Sequence, residues 1–467
     1  MKKTCLIISL FMLILGINAY QVDEDIVQTP LFEHQAVNQA NIVQIELENK
    51  LLDWNLAKSA DIENFTFSKT YALPYHNIEL DIQSIVLESY NQNGERVQNR
   101  NISIDDFAVI SNQFIFKEMR GFTINFNPVF VNNNEITIVK NAKLNIIGNN
   151  KAEEAEAVSE AFISLYEHLA ANYHGSYLSN TPIKKPSMLI ISHNVLETYL
   201  NTYIQWRKAS GFDIHVINRE TIGTNPTNTQ IKQAIVNYYN DASNKPDYLL
   251  IVGDSNNSSY FKLPTFYVQA PDNPEVCATD LDYTLIEGDD YFPEMLVGRF
   301  CVDSVTEFQT IVSKTIKYER TPAQNTNNWQ NKALVVAGNY ASGNLIPTSP
   351  VDTSRWMYEK FKASGYTVVD TVFYQNESGS GSSPEYLTEQ IINAVNSGVQ
   401  YITYRGWGSG NGWQFPIFYR NHVNATNNNG RTPIIYSIVC DNGDFDNSNY
   451  DPCFGEVWMA KGTAIES

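Results

Sequence analysis

The sequence predicts an α/β fold, a mostly parallel sheet flanked by helices, preceded by a β-rich domain. Three observations predict it. Residues 22 to about 150 carry short apolar runs in period-two alternation, broken by Asn/Gly turns. From residue 186 onward, buried apolar strands alternate with amphipathic helices, the pattern of a parallel sheet with covering helices. Between these halves the chain changes character, through a charged, Ala-rich stretch at 149–157 and a Pro/Lys interruption around 179–186.

Taken in order, the N-terminus reads as a secretory signal peptide over 1–19. It has Lys2 and Lys3, an apolar run from Cys5 to Ile17, and Ala19 at the expected cleavage point. That run is too short for a stable membrane span, and no other span is expected. The β-rich domain occupies 20–150, with runs such as 78–82, 122–126 and 144–147. A helical segment (159–171) and linker fill 151–185.

The α/β domain occupies 186–467. Its expected strands are 188–192, 212–217, 248–252, 333–337, 367–373, 399–404 and 434–439. Its expected helices are 195–210, 229–242, 305–318, 354–363 and 386–396. Ligands and catalytic groups in such sheets lie beyond the carboxyl ends of the strands, so the residues after each strand are the ones to read.

Composition narrows the function. The 467 residues carry 32 basic and 51 acidic side chains, a net charge of −19, and nothing to neutralise phosphates, so nucleic acid is not the expected partner. Four cysteines remain after the signal segment: Cys277, Cys301, Cys440 and Cys453. They are too few for a disulfide scaffold and lack the spacing of a zinc ribbon. A Cys277–Cys301 bridge is open to an exported chain. Asp-rich loops (Asp280, Asp282, Asp289, Asp290; Asp444, Asp446, Asp451) offer hard oxygen donors for calcium, though none has EF-hand spacing, and surface acidity explains them equally. No other cofactor is expected.

The most informative residues are Cys440 and Trp407. The run 436–440 delivers a cysteine from an apolar strand into Asp441-Asn442-Gly443-Asp444-Phe445. A thiol held there is rigidly based and reachable, as a nucleophile must be. The run 399–404 is a second such strand and ends in Arg405-Gly406-Trp407-Gly408-Ser409.

Together these resemble the gingipain-type cysteine peptidases, whose paired strands end in Gly-His-Gly-Ser and in Ala-Cys-x-Asn-Gly-Asp-Phe. The likeness extends to 248–254, to Val297-Gly298-Arg299-Phe300, to Lys317-Tyr318-Glu319-Arg320 and to Pro452-Cys453-Phe454-Gly455-Glu456. More weakly, it reaches the family's propeptide at 126–139.

The resemblance implies a caspase-like peptidase domain behind a propeptide, acting on protein or peptide substrates from outside the cell. It implies Cys440 as nucleophile, the Gly408 and Cys440 amides as the oxyanion hole, and Cys453 as a packing residue. In this sequence Trp407 occupies the family's histidine position, and an indole neither takes nor gives a proton near neutral pH. His422, in the loop between the two strands, is a substitute-base candidate. His193, at the end of the first strand, is a weaker one, and His215 lies inside a strand. Asp352 is the nearest acid able to select a basic side chain.

Three readings stay open. One is a secreted cysteine endopeptidase made as a zymogen, with Lys184-Lys185 suited to processing. The second is a catalytically dead relative binding peptides or surface partners in the same cleft. The third is a processing or attachment factor, as some members of the family serve secretion machinery. The resemblance also suggests that the family's fold continues past Ser467.

Overall fold

The structure, a computed structural model, describes residues 32–462 apart from 40, 51, 55–56, 58–65, 100–102, 133–134, 257–259, 270–275, 321–327, 339–348 and 375–383. The expected signal segment lies outside the described residues. Two compact units emerge, one of residues 1–186 with 284–296, the other of 187–283 with 297–467. No helix among the described residues is long and apolar enough to cross a membrane.

The first unit is antiparallel β. Strands β1 (Phe32–Gln39), β2 (Ile42–Asn49), β3 (Phe67–Ala72), β4 (Tyr75–Tyr90), β5 (Arg96–Val97), β6 (Ala108–Phe116), β7 (Met119–Phe126), β8 (Val129–Asn132) and β9 (Glu135–Lys151) form two sheets. One runs β1-β2-β9-β4-β5 with β8 on β9, and the other runs β3-β7-β6. The long pair β4/β9 absorbs its twist through two register shifts, at Ile82/Ser84 and Val86/Leu87. Alternate residues such as Val43, Ile45 and Leu47 turn inward against Phe122, Ile124 and Leu144.

The linker expected at 149–157 begins three residues later than the composition suggests, because 149–151 is the last rung of β9 paired with β4. Helix α1 (Glu160–Leu169) follows. The 180–186 stretch is tied back by two backbone bonds between Val158 and its neighbours Pro182 and Lys184. Residues 284–296 belong to this unit through Phe292, stacked on Phe114 at 4.1 Å, and through Asp290, whose carboxylate accepts the Ile115 amide. No pattern in the sequence signals that excursion.

The second unit is α/β. Its first sheet holds β10 (Ser187–Ser192), β11 (Asp213–Asn218), β12 (Tyr248–Val252) and β15 (Leu296–Phe300) in the order β11-β10-β12-β15; between β12 and β15 lies the hairpin β13 (Phe266–Gln269) with β14 (Val276–Thr279). All six residues of β10 are buried, as a central parallel strand with both faces covered requires. The second sheet holds β16 (Lys332–Gly338), β17 (Val368–Tyr374), β18 (Tyr401–Arg405) and β22 (Ile434–Ile438), ordered β17-β16-β18-β22 and parallel throughout. A small antiparallel meander, β19 (Gly408–Ser409), β20 (Gly412–Gln414) and β21 (Ile417–Tyr419), sits between β18 and β22 in the chain.

Helices α2 (Glu197–Ala209), α3 (Asn228–Asp241), α4 (Val305–Arg320), α5 (Pro350–Ala363), α6 (Glu385–Ser397), α7 (Arg420–Ala425) and α8 (Phe454–Ala460) complete the unit. Their ends follow local chemistry. Thr227 and Gln230 make a reciprocal cap on α3, Ser349 and Asp352 do the same on α5 with Pro350 in the first turn, and Gly398 at φ 86° stops α6. The helix expected to begin at 195 opens instead with a 3-10 turn over Asn194–Leu196, because the His193 ring accepts the Val195 amide and holds the chain tighter. All four cysteines are free thiols, so the Cys277–Cys301 bridge does not form; Cys301 is buried while Cys277 faces solvent.

Candidate active site

Strands β18 and β22 lie side by side and parallel, Tyr401 opposite Ile434 through Arg405 opposite Ile438. Their continuations therefore leave the sheet at one edge. Trp407 and Gly408 come from the first, Cys440 from the second.

The ground under this edge is aromatic and hydrogen-bonded. Tyr404 is buried and its hydroxyl proton is shared between the carbonyls of Trp407 (2.8 Å) and Phe415 (3.1 Å). Its ring stacks on that of Trp413 with centroids 4.4 Å apart. Trp413 Nε1 donates to Ser437 Oγ (2.9 Å), Ser437 donates to Asn442 Oδ1 (2.7 Å), and Asn442 Nδ2 donates to the Ser409 carbonyl (2.6 Å). This chain joins the meander, β22 and the turn after Cys440 into one rigid frame. A network with every member satisfied favours a single geometry.

Cys440 opens that turn and is exposed. Asp441 follows in the left-handed region at φ 58°, which Asp tolerates better than most residues. The turn is then pinned to the start of α8: the Gly455 amide and the Cys453 thiol both reach the Asn442 carbonyl. Further along, Phe445 lies under the Arg299 guanidinium at 5.0 Å. Arg299 is itself held by both Asp280 oxygens (2.7 and 2.6 Å) and by the Gly253 and Leu263 carbonyls. Gly253, at φ 151°, could carry no side chain, since a Cβ would meet the Phe261 carbonyl oxygen.

Gly408 touches the residues on either side of the cysteine. A Cβ there would come within 2.8 Å of Asn442 Nδ2 and 2.9 Å of the Val439 methyls. The Gln414 amide donates to the Trp407 carbonyl, so Gly408, opposite Trp413, occupies the alternate position of the β19–β20 pair. In an antiparallel pair that position makes no ladder bond, and its N–H points away from β20. Trp407 is 46% exposed at the same edge, its ring 6.4 Å from that of Phe415.

The other cysteines contrast with Cys440. Burial holds Cys301 well above the ordinary thiol range and pushes Cys453 up to about 12, so both remain protonated. Cys453 caps α8 and packs in the interior.

The histidines are otherwise engaged. His422 sits in the first turn of α7, Nδ1 accepting the Tyr419 amide at 2.9 Å, its pKa lowered by burial. His193 Nε2 lies 3.1 Å from Glu220; burial lowers its pKa and the Glu220 charge opposes this. His215 stacks on Tyr238 at 4.1 Å. Among the described residues, no hydrogen bond joins any of these rings to Cys440. Asp352 is occupied as the α5 cap, accepting from Ser349 Oγ at 2.6 Å.

For a cation, the structure groups Asp254, Asp303 and Asp451, with one donor oxygen from each lying within 4.8 Å of the others. Asp254 is buried; one oxygen accepts the Ser255 amide and Oδ2 has no hydrogen-bond partner among the described residues. Burial and the neighbouring Asp303 charge push Asp254 up to about 6. Three hard donors with one orphaned buried oxygen fit a calcium-type ion. Of the acids singled out in the sequence only Asp451 belongs to the group, because Asp254 and Asp303 come from strand ends far apart in the chain.

Ser437, Asn442 and Trp413 were not singled out as a unit. Their only sequence signal was proximity to the two motifs.

Comparison with known proteins gives the family of the chain. A model of peptidase family C25 matches residues 181–466. Gingipain R1 of Porphyromonas gingivalis is 26% identical over 369 residues, covering 76% of this chain and 34% of that protein. A gingipain R2 of the same species is 26% identical over 370 residues, 76% of this chain and 46% of its own length. The chain thus spans less than half the length of these curated relatives. The crystal structure of the Arg specific cysteine proteinase gingipain R superposes with a TM-score of 0.51 at 25% identity, over 60% of this chain and 59% of that one. The complex of Porphyromonas gingivalis RgpB pro- and mature domains gives 0.51 at 25% identity over 59% and 60%. These neighbours carry the caspase-like α/β fold expected of the second unit. With a family match over more than half its residues, this chain belongs to peptidase family C25.

Proposed function

We propose that the chain is a cysteine-type endopeptidase, exported as a zymogen, that works slowly because Trp407 stands where a base would act. The observation that carries this reading is the exposed Cys440 on a pinned turn beside Gly408, whose amide points away from β20. In the reaction the Cys440 thiolate adds to the scissile carbonyl carbon, forming the C–S bond. The oxyanion takes hydrogen bonds from the Gly408 and Cys440 amides. The C–N bond breaks as the amine leaves with a proton from water, and a second water hydrolyses the thioester, restoring the thiol. Without a side-chain base, proton transfer falls to solvent, a loss of about 10²–10⁴ in rate.

The experiment is labelling of the purified chain with a peptide bearing a thiol-reactive group, read by intact-mass and peptide mass spectrometry. One adduct on Cys440, absent in Cys440→Ala, supports the peptidase. Labelling of Cys277 at the same rate would show mere exposure.

A second reading has its own observation, the half-exposed Trp407 ring at the same edge. A cleft that binds peptide through Trp407 without cleaving it is a recognition site. Loss of peptide affinity in Trp407→Ala, with no product formed by any variant, selects it.

The Asp254, Asp303 and Asp451 cluster is the proposed calcium site. Calcium held there would tie the end of β12, the segment after β15 and the loop after Cys440. Thermal unfolding with calcium and with a chelator tests this, with Asp254→Asn as the control.

A further inference from the structure

Asn442 follows Cys440 by two positions and is only 4% exposed. Asparagine is mostly a surface residue, so its burial here calls for partners, and it has them on both sides. Its carboxamide accepts the Ser437 hydroxyl at 2.7 Å and donates to the Ser409 carbonyl at 2.6 Å. Its own carbonyl takes the Gly455 amide at 2.8 Å and the Cys453 thiol at 3.4 Å. Two glycines clear the space for it. A Cβ on Gly408 would stand 2.8 Å from Asn442 Nδ2, and one on Gly455 would stand 3.0 Å from the Asn442 carbonyl oxygen.

The core dictates which way the carboxamide points. Trp413 is fully buried, and an indole can only donate. Ser437 Oγ receives that hydrogen bond at 2.9 Å, so its own proton must go to an acceptor. The atom it meets is therefore the Asn442 oxygen, which turns the nitrogen towards Ser409. Aspartate is close in size, but an ionised carboxylate has no proton to give. In place of Asn442 it would set oxygen against the Ser409 carbonyl oxygen.

We propose that Asn442 is a positioning residue for the oxyanion site, its carboxamide setting the Gly408 strand against the Cys440 turn. This role rests on the peptidase reading, since an oxyanion develops there only in acyl transfer. The side chain of Asn442 fixes Ser409, next to Gly408 in the chain, while its backbone belongs to the turn that Cys440 opens. One residue thus couples the two main-chain donors that an oxyanion needs together. Donors set in advance need no rearrangement during the reaction.

The test compares two reagents on the full-length chain, each read at Cys440 by peptide mass spectrometry. Iodoacetamide alkylates the thiolate with loss of iodide, and no oxyanion forms. The p-nitrophenyl ester of N-acetylglycine acylates it. The thiolate adds to the carbonyl carbon, the C–S bond forms, and p-nitrophenolate leaves as the C–O bond breaks. Both reagents consume the same thiolate, so the ratio of their rates cancels a change in its fraction and reports the oxyanion site.

The ratio of acylation to alkylation should fall by about tenfold or more in Asn442→Ala and in Asn442→Asp. Ser437→Ala leaves Asn442 in place but removes the partner that orients its carboxamide, and should lower the ratio as well. Phe308→Leu, in the core of the unit's first sheet, should lower the melting temperature and leave the ratio where it was.

An unchanged ratio in Asn442→Asp and Ser437→Ala would overturn the role, as would an equal fall in Phe308→Leu. Wild-type Cys440 that is alkylated but not acylated removes the peptidase reading and this role with it. Wild-type Cys440 that is acylated, with a ratio indifferent to Asn442, removes this role alone.

Discussion

At the scale of single residues, Trp407 and Gly408 divide the chemistry between a side chain and a backbone. The indole offers only a donor, so the proton acceptor is lost while the main-chain amide beside Cys440 is kept. Trp407→His should raise peptide cleavage by on the order of 10²-fold, and Cys440→Ala in that background should abolish the gain, both followed with a fluorogenic peptide mixture. If the wild-type chain already cleaves and only His422→Ala stops it, His422 is the base and its cap on α7 must open. Gly408→Ala tests the other half. Its Cβ would fall inside contact distance of Asn442 and Val439, both tied to the nucleophile turn. Labelling of Cys440 should slow by about tenfold or more, and stability should drop by roughly 1–3 kcal/mol, the usual cost of overpacking.

At the scale of elements, α8 and the turn after Cys440 are one assembly, with Glu456 at its junction. Its carboxylate accepts the Cys453 amide at 2.6 Å, and burial pushes its pKa from 4.5 up to about 7. The folded state therefore binds a proton that the unfolded chain releases between about pH 4.5 and 7. Stability from this group is present below pH 4.5 and lost as pH rises towards 7. Glu456→Gln keeps an acceptor for the cap and cannot titrate. Over that window the variant should gain stability relative to the wild type by something on the order of 2 kcal/mol, read from urea unfolding at a series of pH values. A difference that does not change with pH would refute the assignment. The cation cluster belongs to the same scale. Calcium should raise the melting temperature at pH 7.5 and do so less near pH 5, where Asp254 holds its proton, and Asp254→Asn should lose the shift.

At the scale of the whole molecule, the division at 186/187 predicts how the chain is nicked. Lys185 is exposed, while Lys184 is partly covered and its amide is bound to Val158. Trypsin does not cut before a proline, so limited digestion should cut between Lys184 and Lys185 and leave a stable C-terminal piece beginning at Lys185, read by N-terminal sequencing and mass. A first cut inside the second unit would mean that the boundary lies elsewhere. The excursion at 284–296 adds a condition. Those residues are built into the first unit through Phe292 and Asp290, so the nicked pieces should stay together on gel filtration until denaturant is added.

What the sequence determined by itself is the local order. The strand–helix alternation after residue 186 and the apolar strands leading to Trp407 and Cys440 are written in runs of neighbouring residues. Periodicity and capping act over a few positions, so they can be read without the fold. Tertiary structure alone decided the rest. The relay from Trp413 through Ser437 and Asn442 to Ser409 joins residues up to 33 positions apart. The Asp254, Asp303 and Asp451 group spans nearly 200 positions, and the departure of 284–296 into the first unit is held by Phe292 against Phe114 and Phe116 and by the hydrogen bond from the Ile115 amide to Asp290. Each depends on which strand lies beside which, and that is set by burial of whole sheet faces. No single segment carries that information.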